Sequence, residues 1–551
     1  MDNGDNTVLL QAVAGAARAV RSLYGPNKLR KQVTGMYAYG LATVAVIEPP
    51  TRCADELEQT LFTADAYTVM STLQSQNAGT AILQQALDQH HKVFGTGCTT
   101  IVTLCEVLAE AALQLQRQGV PTGIIQQALS SVESCCLQTA KHMRVAVTEA
   151  IPSFQKLMWP RQVATLGQIL SIGAIATSLA VKVASTLDPI QFCGDDVSLQ
   201  DLVTTHTVLG GATSATSSEV LDGVLLPIAE ASSRNTLRHT FSSTADTIIV
   251  DGGVAVVSGD LKMIDFSMET SVQVIFVNGD IDSKVIDASV STPKAPLCIP
   301  VSSYNSLRLI AEISGAEIID SFDELLPSAI GHENLQLKAL ELSASRSQED
   351  EEEEVATFFL RVVLPGIRCQ PHTSVIVQGP TKSLAVELRN QTLKMICRLR
   401  NSLRSGYVLP GNGGFWCACA AAIAQEAASN QELLSVVTAK LTDPLLQLGV
   451  ILLENFGDSN DNDSFFSRLA KVQIVQKRFA RSVEDVGAIQ FYSCYYDFRS
   501  AEYAVLSPKA EPEREDGRIF HTIEYKSTRA AIRGSFRVIQ LLLNIDRHQV
   551  N

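Results

Sequence analysis

Charged residues are scarce in this chain. They make up 19% of 551 residues, and 58 Asp and Glu outnumber 44 Lys and Arg. The formal net charge of −14 argues against a phosphate-backbone binder, which needs clustered Lys and Arg. The 12 cysteines are too dilute for a disulfide scaffold. With no C-x-x-C pair and no H-E-x-x-H motif, the scattered thiols read as a reducing compartment. One long uncharged run, 162–181, lies between Arg161 and Lys182, but it carries two Gln, two Gly and several Ser and Thr. It reads as a buried helix and not as a membrane span. The first six residues are polar and acidic, so no secretory leader is read there and a cytosolic protein is expected. What is abundant is apolar surface: 46% hydrophobic residues exclude a wholly disordered chain, and the length suggests about three or four domains.

Apolar spacing predicts a helix over 9–23, closed by a Gly25-Pro26 turn. A strand is expected over 35–47. Helices follow over 65–73, Ala78–Phe94 and 99–118, and another opens at Pro121 and runs to about Met143. From about Leu202 short β-rich runs take over: 205–209, 220–226, Thr247–Val250, 254–257 and Val272–Val277, with a helix over Tyr304–Ser314. An acidic run, 349–354, reads as a solvated loop. Strands over 356–363 and 374–378 lead to a helix over 381–405. Beyond Gly406 the pattern is helical again, with a polar loop at 457–464 and a last helix from Ser527 to about Ile545. A helical, then α/β, then helical order is what a domain split by an inserted one produces.

The most informative stretch is Gly95-Thr96-Gly97-Cys98-Thr99-Thr100, between two helices. Glycines allow positive φ and close backbone approach, the amides at the next helix start favour an anion, and Thr99 and Thr100 add hydroxyls. It is not a G-x-x-x-x-G-K-[ST] loop, since no Lys follows, and alone it reads as a tight connection. A second cluster, Pro410-Gly411-Asn412-Gly413-Gly414, precedes an apolar helix over 415–427. Other signals read as structural: His90-His91 as surface histidines, because a helical metal pair wants i, i+4 spacing, Cys417 and Cys419 as buried thiols, and Trp416 as a core aromatic, with adenine stacking the alternative.

Taken in order, these segments resemble the group II chaperonins, the t-complex or CCT family. Residues 16–26 (AARAVRSLYGP) look like the family's N-terminal helix and Gly-Pro turn. Thr63-Ala64-Asp65-Ala66 is similar to its Thr-Asn-Asp-x-Ala motif, and GTGCTT stands where the family has Gly-Asp-Gly-Thr-Thr. Residues 220–226 and 313–332 resemble its apical domain, and 375–379 with 409–414 resembles the run into its Pro-Gly-Gly-Gly loop. The resemblance implies an α+β multidomain chain of group II chaperonin fold. Its helical equatorial domain would come from 1–145 and 406–551, its small intermediate domain from 146–203 and 368–405, and its inserted α/β apical domain from 204–367.

It also implies an ATP site at Gly25, Pro26, Asp65, Gly95, Gly97, Cys98, Thr99, Thr100, Gly411, Gly413 and Gly414. Hydrolysis in such chaperonins needs one carboxylate to hold magnesium and another to orient water. Those positions fall here on Thr96 and, counting back from 409–414 without gaps, on Lys394. The alternative is that the count is off by a turn and Glu387 or another acid serves. No catalytic residue is therefore assigned; ATP is expected to bind, with magnesium held weakly if at all, and turnover to be slow or absent.

Only 258–271 stands where the family has a long lid-forming protrusion, while the segments near 36–62 and 457–518 are longer than expected. These departures look most like the chaperonin-like proteins linked to McKusick-Kaufman and Bardet-Biedl syndromes. That likeness implies protein partners (CCT subunits, or subunits of a BBSome-type ciliary complex), no nucleic acid, and a cytoplasmic, centrosomal or basal-body location. The alternative is an ATP-hydrolysing, theta-like CCT ring subunit that folds cytoskeletal proteins.

Overall fold

The structure, a computed structural model, describes residues 4–25, 30–34, 60–73, 77–151, 154–209, 214–228, 231–241, 247–262, 271–291, 295–332, 334–342, 357–366, 371–411, 413–428, 433–456, 465–486, 494–497, 502–505 and 522–545. The chain forms two compact units. One takes the described residues within 1–41, 58–180 and 390–551, and the other takes those within 181–389.

In the first unit the helix Cys98–Arg117 is central. Ile101, Val102, Leu104, Cys105, Leu108 and Ala109 are all buried, so apolar side chains ring the helix instead of forming one stripe, as a helix enclosed by others requires. The helices Gly4–Arg18, Thr442–Phe456 and Tyr525–Asn544 pack around it. The first of these starts earlier than its apolar spacing predicts. Residues 4–7 show no periodicity, but Asn6 Nδ2 donates to Leu543 O at 3.0 Å and ties that turn to the last helix. It ends at Arg18, followed by a 3₁₀ turn Arg21–Leu23 and Gly25 at φ 106°. The helix Gly414–Ala428 is apolar on all sides. Its buried Cys417, Ala418, Cys419, Ala420 and Ala421 let the helices Thr122–Met143, Thr442–Phe456 and Phe465–Val486 approach closely. Among the described residues two stretches, Cys98–Arg117 and Leu433–Asn455, are long and apolar enough to cross a membrane, yet most of each is buried in this core.

The run 162–181 is not one helix but two, Trp159–Ile169 and Ala174–Thr186, separated at Ser171–Gly173. Pro121 caps the helix Thr122–Met143 from outside and is not its first residue. The part beyond Gly406 is also not purely helical. Tyr407–Pro410 pairs antiparallel with both Thr522–Glu524 and Val145–Ala146, which sets the second glycine cluster beside the start of the last helix. A further hairpin pairs Lys31–Thr34 with Thr60–Thr63, Lys31 opposite Thr63, and delivers Asp65. The strand expected over 35–47, the acidic run 349–354 and most of 457–518 lie outside the described residues.

The second unit is α/β. A parallel sheet runs Leu297–Pro300, Val272–Val277, Gly253–Val257, Ile318–Ile319. An antiparallel sheet runs Val224–Ile228, Thr357–Val363, Leu335–Leu342, Thr247–Val250. One core joins them: Val254, Val256, Val274 and Phe276 pack with Leu226, Leu337, Leu360 and the helix Tyr304–Ser314. The single strand expected over 220–226 breaks at Gly223. There φ is 86°, and a Cβ would sit 2.1 Å from Val362 O. The two pieces, Glu219–Asp222 and Val224–Ile228, join different sheets.

Candidate functional site

The helix Ala78–Phe94 ends at Gly95 (φ 63°), and Gly97 (φ 89°) opens the helix Cys98–Arg117. Both conformations favour glycine, and the space does too. A Cβ at Gly95 would lie 2.3 Å from Cys397 Sγ, and one at Gly97 would lie 2.8 Å from His90 Nε2. No side chain caps the Cys98–Arg117 helix, so its leading amides face outward as an anion site. Between the glycines, the Thr96 carbonyl accepts from His90 Nε2 at 2.9 Å. Burial lowers the His90 pKa to about 4, so the ring is neutral and pins the loop. His90 is thus buried, not a surface histidine, and His91 is half-buried and stacks on Tyr67 with ring centres 4.0 Å apart.

The second half of the helix Lys382–Ser405 forms the wall opposite this loop. Lys394, Cys397, Arg398 and Asn401 follow i, i+3, i+4, i+7 spacing and so share one face. Asn401 Nδ2 donates to Phe94 O at 3.0 Å, and Cys397 meets Gly95. Lys394 Nζ forms an ion pair with Asp65 Oδ1. Asp65 also caps the helix Ala66–Thr72 by accepting from Tyr67 N at 3.0 Å, and Thr68 Oγ1 donates to its Oδ2 at 2.9 Å. Burial would push this carboxyl up, but Lys394 and these hydrogen bonds hold it at about 2. One turn on, burial lowers the Arg398 guanidinium to about 10 against the attraction of Glu524. Its hydrogen bond goes to Thr522 O at 3.3 Å. Glu524 is occupied in turn, accepting from Lys526 N and Ser527 N at 2.6 and 2.5 Å as cap of the last helix.

These elements enclose a cavity of about 220 Å³ and a smaller one of about 60 Å³. Gly25, Thr96, Gly97, Thr99 and Thr100 line the larger from one side, and Gly411 and Gly413 line it from another. Gly95, Cys98 and Lys394 line the smaller, and Arg398 lines both. Asp65 lies behind Lys394 and lines neither. Gly414 is buried as the first residue of its helix, and Pro26 lies outside the described residues. Trp416 is buried and donates through Nε1 to Tyr24 Oη at 2.8 Å while its ring forms part of the wall. Burial raises the thiols of Cys98 and Cys397 to about 12 and about 11, which makes them inert lining, not nucleophiles. A divalent cation is poorly served here. The carboxylates of Asp65 and Glu524 are both engaged, and Thr96 offers only a hydroxyl, whereas magnesium seeks carboxylate oxygens. Among the described residues no group of three or more His, Cys, Asp or Glu is placed to hold a metal ion.

Residues 260–473 match the model of the TCP-1/cpn60 chaperonin family. The matched stretch, less than half of the chain, holds Lys394, Arg398, Gly411, Gly413 and Gly414. No curated protein matches the chain.

Sequence reasoning missed Arg398, Thr522 and Glu524. Arg398 was signalled by its i+4 spacing from Lys394. Thr522 and Glu524 carry no local signal, because a three-residue strand reaches the cavity only through pairing with Tyr407–Pro410.

Proposed function

We propose that the protein is a chaperonin-like factor that holds folding clients or assembling subunits and keeps a nucleotide cradle without effective hydrolysis. The observation that carries this reading is the Lys394–Asp65 ion pair beside the glycine loop. An ammonium occupies the place where the family resemblance requires a water-orienting carboxylate, and it cannot accept a proton. Glu387, the alternative acid, lines neither cavity. In this reading the chain is of group II type, with a three-domain division and a likeness to the McKusick-Kaufman and Bardet-Biedl chaperonin-like proteins. Its clients are subunits of a ciliary coat complex of BBSome type, handled together with CCT in the cytoplasm or at the basal body. A bound nucleotide would act as a conformational ligand, its phosphates met by the amides at Gly97–Thr99 and by the hydroxyls of Thr99 and Thr100.

Light scattering from a chemically denatured client diluted into the protein tests this. Protection against aggregation is expected to be equal in ATP and in a non-hydrolysable analogue. Protection seen with ATP and lost with the analogue would overturn the reading.

A further inference from the structure

We propose that the cavity takes its ligand as the metal-free polyphosphate anion, with Lys394 and Arg398 supplying the two positive charges that a magnesium ion would otherwise bring. This rests on the nucleotide reading above and goes beyond it by naming the ionic form bound. Three observations lead to it. The donor set does not suit magnesium, because the Asp65 and Glu524 carboxylates already serve Lys394 and a helix cap, and the loop offers Thr96 where an acid would be needed. The cations are built in and do not wave from the surface. Arg398 is half-buried, lines both cavities and makes one long hydrogen bond, to Thr522 O at 3.3 Å, while a guanidinium carries five donors. Lys394 stands one turn, about 6 Å, before it on the same helix face, lining the smaller cavity beside the uncapped amides of the Cys98–Arg117 helix.

Asp65 keeps the Lys394 ammonium in place, and because Thr68 Oγ1 and Tyr67 N also donate to it, the carboxylate stays satisfied as the ammonium turns toward a phosphate. A Lys and an Arg together equal the charge of one divalent ion, and a planar guanidinium bonds two phosphate oxygens at once. The glycines at 95 and 97 matter to this as well, since any side chain there would fill the space against Cys397 and His90.

Isothermal titration of the purified full-length chain tests the inference in four arms: ATP with excess EDTA, ATP with magnesium, inorganic tripolyphosphate with EDTA, and ATP with EDTA on Arg398→Lys and Arg398→Ala. ATP is expected to bind in EDTA as tightly as with magnesium or tighter, with at least a tenfold loss in Arg398→Ala and partial recovery in Arg398→Lys. Tripolyphosphate equal to ATP would show the phosphate chain alone is recognised, and a much weaker value would show that the nucleoside contributes; either upholds the claim provided ATP binds in EDTA. Binding of ATP only when magnesium is present overturns the inference and leaves the nucleotide reading standing. Binding in neither condition overturns the nucleotide reading itself. The comparison of EDTA with magnesium uses the unsubstituted protein, so it decides the question even if the Arg398 variants do not fold.

Discussion

Asp65 is hydrogen-bonded from two directions before Lys394 reaches it, by Tyr67 N and by Thr68 Oγ1, and so it stays ionised in a buried place where a lone carboxyl would be neutral. Its folded pKa of about 2 lies below the ordinary 3.8. The resulting stability, roughly 2 kcal/mol, is therefore present above about pH 4 and lost as pH falls from there to about 2. Removing the partner in Lys394→Ala should cost about 3 kcal/mol at neutral pH and move the acid limb of unfolding upward, as urea titrations between pH 2 and 7 would show. The converse substitution tests function. Thr96→Asp combined with Lys394→Asp restores both acids, and phosphate release that depends on magnesium should then appear. The turn glycines at 95 and 97 were legible because a positive φ favours that residue, whereas alone the loop reads as a tight connection, and only the fold shows Thr99 and Thr100 lining a cavity with it. Arg398 and Glu524 were not, since a buried charge is recognised by what folds around it and nothing in the neighbouring letters announces that.

At the scale of the element, the loop between Ala78–Phe94 and Cys98–Arg117 calls for glycine at 95 and 97. Gly97→Ala, with φ at 89° and a Cβ 2.8 Å from His90 Nε2, should cost about 1–2 kcal/mol and weaken nucleotide binding beyond what the lost stability explains. In the middle of the same helix, Glu106 is buried near Arg18 and Arg21, at 3.8 and 3.5 Å, with Glu110, Glu454 and Arg468 nearby. Burial raises its pKa to about 7 against the pull of Arg21. A folded pKa above the ordinary 4.5 means the folded state keeps a proton that the unfolded chain releases, so stability falls as pH rises from about 4.5 to 7. Glu106→Gln should flatten that slope and raise stability at pH 8 by about 1–2 kcal/mol, less than the full shift because two arginines lose a counter-charge. Long elements with clear periodicity or firm boundaries, such as Ala78–Phe94 and Tyr304–Ser314, were read from sequence to the residue. The strands Tyr407–Pro410 and Thr522–Glu524 were not. At four and three residues they are too short to show a period, and their partners lie more than a hundred residues away.

Across the whole molecule, composition alternates from helical to α/β and back, and the described residues of the second unit lie between two segments of the first. The sequence alone could not say that 162–181 breaks into two helices, because its apolar content is the same either way. Both tryptophans, Trp159 and Trp416, belong to the first unit, so their fluorescence follows that unit while far-ultraviolet circular dichroism follows both. Denaturant titrations should give midpoints that differ between the two probes; coincident curves would mean the units unfold as one. The chaperonin match over 260–473 covers part of the α/β unit and the stretch that holds Lys394, and the chemistry at Lys394 decides whether nucleotide is turned over. Phosphate release from the purified chain at saturating Mg-ATP tests it most directly. The account predicts no release above the protein-free blank, for the unsubstituted chain and for Lys394→Ala alike. Steady turnover that disappears in Lys394→Ala would contradict it.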